Sequence, residues 1–148
     1  MITYKNLLIL QLCHLTEWKN DKEMYVPNDM MEKYAGAFFT CEFLGNRRYI
    51  LRSYYENGSE AWEQEYKDGK RNGKHIGWYE NRNKHWEEEY KDGKRNGKYI
   101  SWYKNGNKHW EEEYKDGKRN GKYISWYKNR NKHWEEEYKD GKLIRTIK

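Results

Sequence analysis

The sequence predicts a mainly β protein: an elongated single-layer antiparallel β-meander of tandem 24-residue hairpin repeats, with a short α-helical N-terminal cap. The string WEEEYKDGKRN at residues 86–96 recurs unchanged at 110–120, which fixes the period. The string KYISWYKN at 98–105 recurs at 122–129 with the same spacing. Although 36% of the residues are charged, the chain has 8 Trp and 15 Tyr, and such an aromatic content argues against disorder.

Residues 1–37 do not repeat and form the first predicted domain, a cap on the end of the array. Apolar residues fall at helical spacing in its first half: Tyr4, Leu8, Leu12, Leu15 and Trp18. This spacing predicts an amphipathic helix over 4–19, and a strand through 7–13 is the alternative.

Residues 38–148 form the second predicted domain, the hairpin array, with two short strands per unit, as at 98–103 and 108–114. Asn105-Gly106 is typical of a type I′ hairpin turn, in which both central residues have positive φ. Because Arg82 and Arg130 stand where Gly106 does, we expect a different turn geometry in those two units. The connection at 115–121 has a glycine at each end of a four-residue interval and is predicted to be a longer loop.

The strand register decides which side chains share a face of the sheet. A two-residue turn at 105–106 places Tyr99 and Ser101 beside Trp110, whereas a three-residue loop places Ile100 and Trp102 there. The sequence leaves both registers open. In either register one Trp and one Tyr per unit stack from unit to unit. This predicted structural ladder consists of Trp62, Tyr66, Trp86, Tyr90, Trp110, Tyr114, Trp134 and Tyr138.

Charge is segregated within each unit, because glutamates occupy the strand centre and most lysines and arginines occupy the turns. The formal net charge is +6. Rows of cations can bind the phosphate groups of anionic lipid or nucleic acid. The interspersed glutamate triplets argue against nucleic acid. The candidate anion- and lipid-binding residues are Lys70, Arg71, Lys94, Arg95, Lys118 and Arg119.

No catalytic, cofactor-binding or metal-binding residue is predicted. His85, His109 and His133 each precede a glutamate by two residues, but consecutive units lie about 10 Å apart, too far for three or four ligands to converge. The sequence shows no pairing of a nucleophile with a base and no glycine-rich phosphate loop. Each glutamate recurs in every unit, whereas an active site is usually singular. We therefore expect a protein that is not an enzyme.

The unit resembles the MORN repeat, whose consensus runs aromatic-x-Gly-x-aromatic and then Lys-x-Gly-Lys-x-x-Gly. The residues that carry the resemblance are Trp110, Tyr114, Lys115, Gly117, Lys118 and Gly121. The chain departs from the consensus in two ways: Glu112 stands where a glycine is usual, and the unit has 24 residues rather than 23. Both departures are similar to the variant MORN repeats of bacteria and large DNA viruses.

The resemblance implies a twisted, elongated sheet that acts in protein–protein scaffolding and in binding acidic phospholipids. Our first hypothesis is a non-catalytic scaffold that binds a protein partner or a second copy of itself. The second is a peripheral binder of anionic phospholipid through the basic turns. No transmembrane segment is expected, because the apolar run at 7–13 is far shorter than the roughly 20 residues that span a bilayer. We expect a cytoplasmic protein, in the host cytoplasm if it is viral and at a membrane surface under the second hypothesis.

Overall fold

A computed structural model describes residues 38–147, which form one open antiparallel sheet of ten strands. The strands are β1 (Phe38–Gly45), β2 (Arg48–Tyr54), β3 (Glu60–Lys67), β4 (Lys70–Trp78), β5 (Lys84–Lys91), β6 (Lys94–Trp102), β7 (Lys108–Lys115), β8 (Lys118–Trp126), β9 (Lys132–Lys139) and β10 (Lys142–Thr146). Each strand pairs with its neighbours in the chain, so the predicted mainly β meander is confirmed. The predicted cap over 1–37, including the helix or strand at its start, lies outside the described residues.

Tight two-residue turns join β3 to β4, β5 to β6, β7 to β8 and β9 to β10 on one side of the sheet, which we call the Asp-Gly side. Lys115 pairs with Lys118, so only Asp116 and Gly117 remain in the turn between them. These two residues have φ of 50° and 84°, and two positive φ values in succession are typical of a type I′ turn. The longer loop predicted at 115–121 is therefore wrong, since β8 begins at Lys118.

Three-residue loops join the strands on the opposite side, which we call the Asn side. The Tyr103 N–H donates to the Asn107 carbonyl, and the Gly106 N–H donates to the Tyr103 carbonyl, both at 2.8 Å. Among the three residues that they enclose, only Gly106 has positive φ, at 85°. This is a type I turn followed by one left-handed residue, so the type I′ turn predicted at Asn105-Gly106 is wrong.

The same loop recurs where an arginine replaces the glycine. Arg82 and Arg130 have φ of 69° and 72°. Their N–H groups donate to the Tyr79 and Tyr127 carbonyls at 2.8 and 2.9 Å. The different geometry expected at these two positions is therefore wrong. A non-glycine residue in this conformation costs about 1–2 kcal/mol.

A β-bulge at His109 determines the register. Trp102 pairs with Lys108 and Ser101 pairs with Trp110, so His109 has no partner on β6. A three-residue loop alone would place the other set of β6 side chains beside Trp110. The extra residue shifts the pairing by one and thereby exchanges the two faces. Of the two registers that the sequence left open, the structure has the one that places Ser101 beside Trp110.

The strand register assigns the side chains of each unit to one of two faces, a front face and a back face. The front face carries the Trp, Glu and Tyr of β5, β7 and β9, as in Trp110, Glu112 and Tyr114, and β3 has Gln64 in place of the glutamate. The back face carries the intervening glutamates and the second tryptophan of each unit, as in Glu111 and Trp102. Because the described residues form one sheet, few of their apolar side chains are fully buried; the most buried are Tyr49, Leu51 and Ile76.

Hydrogen bonds between consecutive units hold both rows of turns in place. On the Asn side, a tyrosine hydroxyl of one unit donates to a tryptophan carbonyl of the next at 2.7–2.9 Å: Tyr55 to Trp78, Tyr79 to Trp102 and Tyr103 to Trp126. On the Asp-Gly side, a glycine N–H donates to an arginine carbonyl of the preceding unit at 2.8 Å: Gly93 to Arg71, Gly117 to Arg95 and Gly141 to Arg119. Each unit is therefore bonded to the next at both ends of its hairpin.

Candidate functional site

The predicted aromatic ladder runs across the front face, with a small residue between successive tryptophans. Trp62 and Trp86 both pair with Gly77. Trp110 pairs with Ser101 on one side and Ser125 on the other. Both serines are buried beneath the indole rings. The alternation of large and small side chains allows bulky rings to pack on a single sheet.

An arginine of each later unit occupies the front face between tyrosine rings. The Arg95 guanidinium lies 5.3 Å from the centre of the Tyr99 ring and 5.2 Å from that of Tyr114. Its Nε donates to the buried Glu88 carboxylate at 2.7 Å. Tyr90 also donates to this carboxylate, at 3.2 Å. The five side chains form one satisfied network of charge and cation–π contacts.

The network repeats one unit later. Arg119 Nε donates to Glu112 at 2.8 Å, and the Tyr114 hydroxyl donates to the same carboxylate at 2.8 Å. Burial would raise the pKa of Glu88, but the hydrogen bond with His75 and the charge of Arg95 outweigh it, so this pKa lies below its usual value. Arg95 and Arg119 are thus held by front-face carboxylates rather than free in the turns.

The six candidate anion-binding residues therefore separate into two groups. Lys70, Lys94 and Lys118 begin their strands on the Asp-Gly side and are exposed. The arginines that follow them point to the front face. The sequence suggested one basic surface because lysine and arginine are adjacent in the chain, but alternate residues of a strand point to opposite faces.

The Asp-Gly side carries a double row of exposed lysines: Lys67, Lys70, Lys91, Lys94, Lys115, Lys118, Lys139 and Lys142. Each turn has two lysines against one aspartate, so every turn is net positive. Successive turns lie about 9–10 Å apart, which is two strand spacings. This row is a cationic surface with regular spacing.

The back face carries a second aromatic row, in which tryptophans alternate with lysines. Lys84 Nζ lies 5.4 Å from the centre of the Trp102 ring, and Lys108 Nζ lies 5.4 Å from that of Trp126. Both indoles are half-buried. The period in the sequence identifies Trp78, Trp102 and Trp126 as a ladder, but its face depends on the bulge at His109, which the sequence did not predict.

Equivalent concavities recur along this row. One, of about 420 Å³, is lined by Trp102, Gly106, Asn107, Lys108, Trp126 and Arg130. Another, of about 310 Å³, is lined by Gly58, Ser59, Glu60, Trp78 and Arg82, which precede their counterparts by two periods. The concavity is therefore a feature of the repeat unit.

The rim of the concavity between Trp102 and Trp126 is basic, whereas the concavity beside Trp78 is lined by Glu60 as well as Arg82. The loops at 103–108 and 127–132 contain lysine and arginine and no carboxylate. On the sheet beside them, Glu111 accepts from both Lys98, at 2.8 Å, and Lys108, at 2.6 Å. Burial would raise the pKa of Glu111, but these two lysines outweigh it and hold the pKa below its usual value. The back-face carboxylate is thus neutralised, and the loop cations are left in excess.

The repeated histidines stack on tyrosines of the Asn side. The ring centres of Tyr79 and His85 are 4.1 Å apart, as are those of Tyr103 and His109. Burial lowers the pKa of both histidines. Within residues 38–147, no group of three or more His, Cys, Asp or Glu side chains could hold a metal ion.

The part of the chain that the structure describes has no helix long and apolar enough to cross a bilayer. A scan against protein-family models and a search of curated proteins found no match to the chain.

Proposed function

We propose that the chain is a non-catalytic scaffold that binds an extended segment of a partner protein along the back face. The observation that carries the proposal is the row of half-buried tryptophans with a repeated concavity beside it, whose rim between Trp102 and Trp126 is basic. Partly exposed tryptophans beside surface hollows are typical anchors of protein interfaces. The proposal agrees with the scaffolding role that the MORN resemblance implies.

The spacing of the row favours one conformation of the bound segment. Consecutive units are about 9–10 Å apart. A polyproline II helix rises about 3.1 Å per residue and returns to the same face every third residue, after roughly 9.3 Å. Aromatic-lined grooves are a known mode of binding such helices. The basic loops favour an acidic segment, so we propose a proline-rich ligand with an acidic residue at every third position.

Fluorescence anisotropy with a labelled synthetic peptide, (Asp-Pro-Pro)₄, tests this proposal. We expect saturable binding that weakens at least about tenfold in Trp102→Ala and in Trp126→Ala. A peptide of the same composition with irregular aspartate spacing should bind more weakly, and (Lys-Pro-Pro)₄ should not bind. Circular dichroism checks that the variants keep their sheet.

Equal affinity for the regular and irregular peptides would contradict the spacing argument. Unchanged binding by both tryptophan variants would contradict the proposed face. Light scattering on the full chain addresses self-association: a dimer that dissociates in Trp126→Ala would identify a second copy of the chain as the occupant.

Peripheral binding to anionic phospholipid is the second candidate function, and the double lysine row of the Asp-Gly side favours it. A polybasic surface gains about 1 kcal/mol per lysine near an acidic membrane. Flotation with vesicles of phosphatidylserine and phosphatidylcholine is the test. The variant Lys94→Glu with Lys118→Glu should lose binding, whereas the matched variant Lys104→Glu with Lys128→Glu, on the Asn side, should retain it. Equal flotation with acidic and neutral vesicles would rule this function out.

A further inference from the structure

The unit at 61–84 differs from the unit at 109–132 at only five positions, where it has Ala61, Gln64, His75, Gly77 and Glu80. Three of these lie together on the front face. Gln64 pairs with His75, and Gly77 lies two residues further along the same strand, opposite Trp62. The other two lie at the bulge and in the loop of the Asn side. Most of the divergence of this unit is therefore concentrated in one patch.

The first consequence of the divergence is an arginine without a carboxylate partner. In the later units, Arg95 pairs with Glu88 and Arg119 pairs with Glu112. Gln64 occupies the equivalent carboxylate position in the first unit. Arg71 accordingly forms no ion pair with any residue of 38–147; it donates to the Tyr90 hydroxyl at 3.1 Å and is exposed.

The second consequence is a cavity. A volume of about 270 Å³ is lined by Trp62, Gln64, Tyr66, Arg71, His75 and Trp86. The Trp86 ring lies directly against Gly77, where a side chain would displace the ring. His75 is a smaller ring than the tyrosine of later units and meets the two indoles edge-on, at 6.1 and 5.8 Å between ring centres. Two tryptophan walls therefore border this hollow.

The floor of the cavity contains an unsatisfied polar atom. Gln64 is 1% exposed. Its amide nitrogen donates to the Glu65 carbonyl at 2.8 Å, whereas its Oε1 is buried with no hydrogen-bond partner among the described residues. A buried acceptor without a partner destabilises the structure around it, and a donor on a ligand would satisfy it. The Glu88 carboxylate, which pairs with His75 at the edge of the cavity, is also held by Arg95.

We propose that this cavity binds a small planar organic anion. Its carboxylate or phosphate would pair with Arg71, and its ring would lie against Trp62 and Trp86, with a ring hydroxyl or amine directed to Gln64. The volume lies just below the roughly 300–1,000 Å³ of typical ligand pockets, which favours a molecule of one or two rings. This site lies on the opposite face from the proposed peptide row. Among the repeat units of residues 61–142, only this unit has Gln, His and Gly at these positions, because the later units have Glu, Tyr and Ser.

Titration calorimetry on the full chain tests the site with 4-hydroxyphenylacetate and indole-3-acetate as carboxylates, 4-hydroxyphenyl phosphate as the phosphate, and 4-hydroxyphenylacetamide as the neutral control. We expect saturable binding of at least one anion below about 1 mM and at least about tenfold weaker binding of the amide. The comparison of carboxylates with the phosphate identifies the preferred anionic group.

The decisive variant is the triple substitution Gln64→Glu, His75→Tyr and Gly77→Ser, which gives the first unit the front-face residues of its neighbours and so should fold. We expect it to lose at least about tenfold in affinity. The exposed Arg71→Gln should lose the preference for anions over the amide. The back-face variant Trp126→Ala should bind the anions as the unaltered chain does, which separates this proposal from the peptide row. Absence of saturable binding below about 1 mM, or equal affinity in the triple variant, would overturn the proposal.

Discussion

The glycine at each strand bulge of the Asp-Gly side should be the position least tolerant of a side chain. Gly121 has φ of 128°. Residues 120–122 of β8 lie opposite the single residue Glu113. A methyl group at residue 121 would overlap the Glu113 carboxylate and lie 2.9 Å from its Cβ. The substitution Gly121→Ala therefore combines backbone strain with a collision.

The magnitude follows from three contributions. A Cβ in the left-handed region costs about 1–2 kcal/mol. Displacing a packed neighbour costs typically 1–3 kcal/mol. Restricting the unfolded chain returns about 0.4–1 kcal/mol. We expect Gly121→Ala to lower the free energy of unfolding by about 3 kcal/mol.

Gly106 provides a matched control in the same sheet. It also has positive φ, at 85°, but a methyl group at this position would have Asn83 Nδ2 as its nearest neighbour, at 3.9 Å. Two other units already carry arginine at this position. Only the strain and the unfolded-state contribution remain, so Gly106→Ala should cost about 1 kcal/mol. Urea denaturation followed by circular dichroism measures both. Equal losses within about 0.5 kcal/mol would refute the reasoning.

Two further predictions concern the networks between units. The folded-state pKa of Glu88 lies below its ordinary value of 4.5, so its contribution to stability is present above that pH and is lost as the pH falls through the lower folded-state pKa. Glu88→Gln should therefore flatten the dependence of the unfolding free energy on pH below about 4.5; an unchanged slope in acid urea melts would contradict this. Tyr103→Phe should cost about 1 kcal/mol in the same melts, because it leaves the Trp126 carbonyl without its 2.9 Å donor. Tyr127→Phe is its control and should cost nothing measurable, because that half-exposed ring has no hydrogen bond to the described residues; similar losses in both would argue against the inter-unit bond.

The sequence predicts the period, the strands and the meander because each depends on local patterns that recur. It did not predict the turn types, because Asn-Gly and Asp-Gly both satisfy the preference for a type I′ turn. At the Asp-Gly turn Lys115 pairs with Lys118, whereas the Asn-Gly loop is followed by the extra residue His109. Both features depend on contacts across the sheet, which the local sequence does not specify.

For the candidate sites as well, the local sequence pattern predicts some residues, and contacts between strands determine the others. The exposed lysines of the Asp-Gly side could be found from the period alone. The pairing of Arg95 with Glu88 could not, because the two are seven residues apart and meet only after the strand turns and bulges. For the same reason, the substitution at Gln64 looks minor in the sequence although it removes the carboxylate partner of an arginine.

The hydrogen bonds between units have a consequence for how such a chain can change in length. The tyrosine-to-tryptophan hydrogen bonds between neighbouring units recur every 24 residues, so gain or loss of one of the near-identical later units leaves each surviving unit with the neighbours it requires. Residues 86–96 and 110–120 are identical, so an added copy would present no new packing problem. Each gain would extend the tryptophan row by about 9–10 Å and allow a longer ligand to be held at more points. The diverged patch around Gln64 would remain single, because the copied units do not contain it.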